Sequence, residues 1–366
     1  MLGPFDPTLC DGVSASMFDL LVFLRKQGNE VFIVSFIHDN NACQNGLQYL
    51  LDNNNTTIIA RGVNFCNIIY KEINIYYEIL PYTRTEMLGI HHGVLARVVK
   101  KLKEYKGSYI FTIDADHTSL LASTLAGNLC SHFFHSPIYI ESFLSHPIKK
   151  KILQKRINFA CSKFTKNRIK QLLDLHAVIW YPFIDLERYL AASNKKVNKA
   201  IGFYGGGSIK GDKLVSILID EMPHNKFVVV GRNFKRISHT TPDNLEYMGD
   251  QINMKDFYEK ISLLVVPSLT YEGYSRVIIE AASNGIPVIS NNTGGIPESM
   301  GNSGILIDTK SSDNEMVNKY KSAIEKILNN EKVYLLYREK ALKRTKEYEK
   351  TIYEQSIHNY QKYLLL

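Results

Sequence analysis

Residues 267–298, reading PSLTYEGYSRVIIEAASNGIPVISNNTGGIPE, leave this chain few folds to choose from. They follow the apolar run Ile261-Ser-Leu-Leu-Val-Val266, whose composition predicts a buried parallel strand. A loop with Glu272 and Gly273 comes next, then a helix over 275–283, stopped by Asn284-Gly285 and Pro287. Val288-Ile289-Ser290 predicts the following strand, so the unit reads strand, helix, strand. In such units ligands bind at the carboxyl ends of the strands, where a helix N-terminus turns its unpaired N–H groups towards anions. Glu272 stands just before the helix and Glu280 inside it, with seven residues between them. Carboxylates so placed can bracket a ligand that carries both hydroxyls and phosphates. An ordinary buried αβ unit with two solvated glutamates is the competing account.

A second strand-to-helix turn lies upstream. Residues 199–204 predict a strand, Gly205-Gly206-Gly207-Ser208-Ile209-Lys210-Gly211 the turn, and a helix starts at Asp212. Converging backbone N–H groups and one ammonium make a phosphate cradle in physical terms. The Walker spacing is absent, which disfavours an ATPase; three glycines also serve a simple tight turn. Near the amino end, Cys10-Asp11-Gly12-Val13-Ser14 leads into a helix reaching about Lys26. Gly12 there permits close approach of a phosphate, and a plain helix start with Ser14 as N-cap fits equally well. Strands are predicted over 30–36, 109–113, 137–141, 177–180, 227–230 and 304–308, with only short ones in the Asn- and Tyr-rich stretch 52–80. A basic amphipathic helix is expected over 91–106, and three helices, starting near Asn314, Lys332 and Glu347, end the chain.

Pro267-Ser268, Glu272-Gly273-Tyr274, Glu280-Ala281-Ala282, Gly285-Ile286-Pro287-Val288 and Gly294-Gly295-Ile296-Pro297-Glu298 stand in the order found in the retaining family 4 glycosyltransferases, which this sequence resembles. The resemblance implies the α/β GT-B fold, two Rossmann-like domains with parallel sheets facing across a cleft. It divides the chain into an N-terminal acceptor domain over 1–194, a nucleotide-sugar domain over 195–345, and a last helix, 346–366, that crosses back. It implies a hexosyltransferase that moves a sugar from a nucleoside diphosphate sugar to a glycan, lipid-linked or other hydroxyl acceptor, with retention and without a metal. Glu272 would contact the sugar hydroxyls and Glu280 the ribose. Lys210, Gly206, Gly207 and the N–H groups near Gly273, Tyr274 and Ser275 would meet the diphosphate, Gly12 would approach it from the first domain, and the segment ending at Asp250 would hold the base.

The sequence departs from the family in three places. The first strand is missing or a stub, which implies either a start codon further upstream, the favoured account, or loss of a central strand. The turn arginine is replaced near Gly206, with Arg232 or Arg276 as conceivable substitutes. The histidine expected beyond the strand 137–141 is absent; His146 is the nearest candidate, Glu141 a replacement, and loss of the role a third account. Two rival readings follow: a nucleotide-sugar-binding protein with impaired activity, and a metal-dependent GT-A-like transferase using Asp114 and Asp116, since paired carboxylates at a strand end suit hard cations. A relative of another reaction type, such as an epimerase, also shares the second domain's shape.

Charge adds one further partner. The 366 residues carry a formal net charge of +8, with a pI near 9.0. Nine of the basic residues, Lys149, Lys150, Lys151, Lys155, Arg156, Lys163, Lys166, Arg168 and Lys170, fall in a stretch without an acidic one, interleaved with Ile148, Ile152, Leu153, Ile157 and Phe159. This is either a patch for an anionic membrane surface or a solvated basic face around a buried stripe. No nucleic-acid motif accompanies the charge. The five widely spaced cysteines and the lack of a membrane-length apolar run are those of a cytoplasmic protein, peripheral to the inner membrane face if the patch binds there.

Overall fold

The computed structural model describes residues 1–2, 11–38, 47–48, 50–52, 55–62, 65–80, 92–114, 117–144, 147–191, 200–231, 234, 236, 242–251, 253–309 and 312–364. They form two compact units, Met1–Ile184 with Asn359–Leu366, and Asp185–His358.

In the first unit α1 (Gly12–Lys26) leads to β1 (Phe32–His38), which pairs in parallel with β4 (Ile73–Leu80). Outside β4 lie β3 (Phe65–Tyr70) and β2 (Thr56–Arg61), both antiparallel, so the stretch expected to hold short strands is a regular meander. Its tight turn places Lys71 and Glu72 at φ 49° and 62°, the primed geometry that matches strand twist. After α2 (His92–Glu104), a parallel set follows in the order β5 (Tyr109–Ile113), β6 (Leu129–Phe134), β7 (Ile157–Ala160), β8 (Val178–Ile179). Leu2 bridges the two halves, pairing with Val34 of β1 and Thr112 of β5. The Leu2 N–H donates to Phe111 at 2.8 Å and the Met1 carbonyl accepts from Val34 at 2.9 Å, so the stub occupies the middle of the sheet.

The connections are α3 (His117–Ala126), α4 (Pro147–Gln154) and α5 (Lys163–Leu173). Residues 137–143 are a 3-10 helix, not the strand that the sequence suggests, and the strand is β6 instead. Pro137 at the first helical position explains the turn. Ser131 and His132, both fully buried, break the apolar run that would have marked β6.

The second unit holds six parallel strands in the order β11-β10-β9-β12-β13-β14: β9 (Ile201–Tyr204), β10 (Phe227–Val230), β11 (Leu245–Gly249), β12 (Leu263–Val266), β13 (Val288–Asn291) and β14 (Gly304–Ile307). Between them run α6 (Asp212–Glu221), α7 (Lys255–Lys260), α8 (Arg276–Ser283) and α9 (Ile296–Met300). The order reverses between β9 and β12, which pair Ile201 with Leu263 and Phe203 with Val265. Crevices for ligands open at the carboxyl ends of such a switch point. Phe203, Val229, Val265 and Ile289 pack against Leu218, Tyr320 and Ile324 in the core of this unit.

Two helices, not three, close the chain: α10 (Asp313–Leu328) and α11 (Glu331–Tyr363). The latter runs 33 residues with no glycine or proline to break it near Glu347. Tyr348 and Ile352 are buried in the second unit. From Asn359 the helix belongs to the first, where Tyr360 donates to Asn29 at 3.1 Å and Tyr363 meets Phe159.

Candidate active site

Three loops meet at the switch point. The Lys210 ammonium, at the end of the 3-10 turn after β9, pairs with Glu272 in the loop after β12. Ser268 donates to the same oxygen, Oε1, at 2.6 Å, so Oε2 accepts from neither. Leu269 N–H donates to the Ile209 carbonyl at 2.9 Å, stapling the two loops. The loop after β13 completes the floor: Gly295 N–H donates to the Glu272 carbonyl at 2.7 Å. Gly294 has φ +58°, and a Cβ there would lie 2.4 Å from that carbonyl oxygen. At Gly211, φ +92°, a Cβ would lie 2.5 Å from the Pro267 oxygen. These close approaches explain the glycines at both places.

The glycine turn is not an open cradle. Gly206 and Gly207 N–H donate to the Asp212 carboxylate at 3.3 and 3.1 Å. Asp212, buried at the start of α6, takes the donors that the sequence assigned to a phosphate. A Cβ at Gly206 would come within 2.7 Å of Lys210 Cγ, so the glycine leaves room for the lysine stem.

The N-terminus of α8 differs. Ser275, its buried N-cap, makes no side-chain capping bond. The first-turn N–H groups of a helix have no partner within the helix, and their partial positive charge favours an anion. Gly273 and Tyr274 are buried just ahead of it, and the Tyr274 hydroxyl accepts from Arg344 at 3.3 Å, which commits its side chain to α11. Glu280 is buried one turn further on. Tyr258 donates to its Oε2 at 2.8 Å and the Arg276 Nε lies 3.4 Å from its Oε1. Burial, and then the carboxylate beside it, hold the Tyr258 hydroxyl well above the usual tyrosine range. Arg276, considered above as a substitute for the turn arginine, is turned to Glu280 and the Tyr189 hydroxyl instead. Asp250 is exposed immediately after β11, the edge strand whose carboxyl end lies on the same side of the sheet.

In the first unit the structure alters several expectations. Asp11, not Ser14, caps α1, accepting from Val13 and Ser14 N–H at 2.9 Å each. That carboxylate fills the anion position beside Gly12. Asp114, at φ 43° after β5, accepts from His135 and Ser136 N–H through Oδ1 at 2.7 and 3.0 Å, as a clamp between strand ends. Enclosure of its carboxyl pushes its pKa up to about 7, against the pull of those two bonds. Among the described residues no three His, Cys, Asp or Glu gather as a metal site. Asp116, His146 and Arg232 lie outside the described residues. Glu141 is ion-paired with Arg168.

Sequence reasoning missed His135. It directly follows β6, buried, with its ring stacked on Phe133 at 5.5 Å. Reading β6 as a buried strand interrupted by Ser131 and His132 would have placed a histidine just beyond a strand, where the resemblance leads one to expect it.

Residues 198–330 match the family described as Glycosyl transferases group 1, and this segment is a group 1 glycosyl transferase domain. Protein CapJ of Staphylococcus aureus is 28% identical over 85 residues, 22% of this chain. The match covers 20% of that relative's length. Sucrose-phosphate synthase from Thermosynechococcus elongatus superposes with a TM-score of 0.74 at 16% identity, covering 100% of this chain and 99% of that one. Anabaena HepE in complex with UDP superposes with a TM-score of 0.62 at 15% identity, over 96% and 98% of the two chains. The shared fold is GT-B, with two Rossmann-like domains.

Proposed function

We propose, from the premise of a GT-B chain with a group 1 glycosyl transferase domain over 198–330, that the protein is a retaining hexosyltransferase using a nucleoside diphosphate sugar. The observation that carries this reading is the convergence of Lys210, Glu272 and the uncapped N-terminus of α8 at the switch point between β9 and β12. Breaking the anomeric carbon–oxygen bond builds negative charge on the departing diphosphate and positive charge on the sugar ring. Fixed positive groups aimed at the leaving group lower that barrier most. Lys210 and the N–H groups of Tyr274, Ser275 and Arg276 supply them, so no metal is called for. Glu272 exchanges Lys210 for the sugar hydroxyls as the ammonium turns to the phosphate. Glu280 takes the ribose, the backbone around Gly249 and Asp250 the base, and His135 the role of the family's histidine.

The acceptor is a glycan, lipid-linked or other hydroxyl compound, and we place it at an anionic membrane surface on the cytoplasmic side. Support comes from the 3-10 helix at 137–143 and α4, where Ile138, Tyr139, Leu144 and Ile148 are exposed beside Lys150, Lys151 and Lys155. At least four of the nine basic residues are engaged elsewhere, Lys170 among them in an ion pair with Asp174. Lys149 is buried, Arg156 bonds to Thr112, Leu120, Ser123 and Thr124, and Arg168 holds Glu141.

A binding protein with impaired turnover is the second reading, favoured by the Asp212 carboxylate on the glycine N–H groups. One experiment separates the two. Thermal shift with UDP-, GDP-, ADP- and dTDP-sugars in EDTA identifies the donor, and mass spectrometry follows sugar release. Stabilisation by one donor, with turnover that falls about 10²–10³-fold in Lys210→Ala at unchanged melting temperature, is expected. Binding without turnover selects the second reading. Binding only after a divalent cation is restored overturns the metal-free mechanism.

A further inference from the structure

Helix α8 and its C-cap carry a polar stripe, the buried Arg276 and Glu280 and the half-buried Asn284, spaced four apart. Each member is tied to a part of the second unit distant in sequence. Glu280 accepts from Tyr258 of α7. Arg276 Nη2 donates to the Tyr189 hydroxyl at 3.0 Å, with its guanidinium 6.0 Å from the Tyr189 ring centre. Asn284 Nδ2 donates to the Tyr189 carbonyl at 3.0 Å and its Oδ1 accepts from Ala191 N–H at 2.7 Å. Tyr189 is thus held by both its backbone and its side chain, and presents a fixed hydroxyl to the arginine.

We infer that Arg276 is a positioning residue for the donor nucleotide: anchored on Tyr189, it holds the Glu280 carboxylate charged and aligned to accept the two ribose hydroxyls. The inference rests on the proposed role of Glu280 as the ribose acceptor. Its physical ground is the environment of that carboxylate. Arg276 and Glu280 side chains are each only 6% exposed, and a carboxylate so buried is strongly disfavoured without a partner of opposite charge. Among the described residues, the hydroxyls of Tyr258 of α7 and of Tyr189 also bond to the pair, and Tyr204 at the end of β9 lies near Tyr258. These are neutral hydroxyls, and Arg276 is the cation whose contact with Glu280 is seen here. Arginine suits the task because its charge does not titrate and its planar fork can hold two partners at once. Without it, Glu280 takes up a proton, and a neutral acid is a poorer acceptor for two adjacent hydroxyls.

The test measures UDP and 2′,3′-dideoxy-UDP affinities by calorimetry from pH 6 to 8.5, with ADP and GDP pairs in parallel. In the wild type the ribonucleotide should bind at least about tenfold more tightly than its dideoxy counterpart, the effect of hydrogen bonds to a charged group. Arg276→Met should lose most of that preference, weakening the ribonucleotide about tenfold while changing the dideoxy compound less than about twofold, and more so as pH falls. Arg276→Lys should regain part of the preference. Tyr189→Phe, which removes one hydroxyl and keeps the ring, should move in the same direction by less, and decides the matter if Arg276→Met does not fold. A preference that survives in Arg276→Met or, where that variant is unfolded, stays at the wild-type value with no pH dependence in Tyr189→Phe, overturns the inference. A wild type that binds both nucleotides equally overturns the ribose role of Glu280 itself, and this inference with it.

Discussion

Asp114 occupies a left-handed backbone conformation, φ 43°, which aspartate and asparagine tolerate better than most residues. From there one oxygen reaches the N–H groups of His135 and Ser136, and this sets the backbone at the candidate histidine. In the sequence the same residue resembles half of a cation site, because a carboxylate at a strand end looks alike in either use. Its titration gives a direct test. The pKa is raised from 3.8 to about 7, chiefly by desolvation, so the group's contribution to stability is full below pH 4 and is lost as pH rises through 7. Asp114→Asn keeps the Oδ1 acceptor and removes the charge. It should therefore be more stable than the wild type by about 4 kcal/mol above pH 7.5, with the difference shrinking towards pH 4.5. Urea midpoints across that range measure it, and a pH-independent difference would contradict the buried-carboxyl account.

Among the elements, the loops after β9, β12 and β13 behave as one body because their backbones touch. The strand-helix-strand unit over 261–291 was legible from its apolar run, its breakers and its glycines, all local signals. β6 was not, since burial on both faces let Ser131 and His132 sit inside it and hid its period. α10 was legible from near Asn314, but α11 divides in the sequence at Glu347 because its long segment of mixed charge carries little periodicity. The loop contact predicts the cost of adding one methyl group. Gly294→Ala would set a Cβ against the Glu272 carbonyl at a positive φ, and should destabilise the second unit by about 1–3 kcal/mol. Donor turnover should fall with it, as Glu272 is displaced from Lys210. A change in urea midpoint equivalent to less than about 0.5 kcal/mol would show that the loop yields freely.

For the molecule as a whole, the net charge of +8 favours anionic surfaces but does not choose among them. The exposed apolar groups narrow the choice: Ile148 is 70% and Leu144 52% exposed, beside lysines that a vesicle surface would attract. The protein should sediment with phosphatidylglycerol vesicles, less so with phosphatidylcholine, and less in 0.5 M salt. Leu144→Ser with Ile148→Ser should reduce binding several-fold at low salt without lowering the melting temperature. Equal binding by this variant would leave charge alone as the cause. By itself the sequence determined the α/β class, the strand-helix-strand unit and the candidates Lys210, Glu272 and Glu280, because spacing, breakers and glycines act within a few residues. Only the tertiary structure decided what those groups touch. Lys210 meets Glu272 across 62 residues of chain, Arg276 turns to Tyr189 across 87, and Asp212 takes the glycine N–H groups that a phosphate had seemed to need. Such pairings depend on which strands lie side by side, and strand order is set by the packing of the whole sheet.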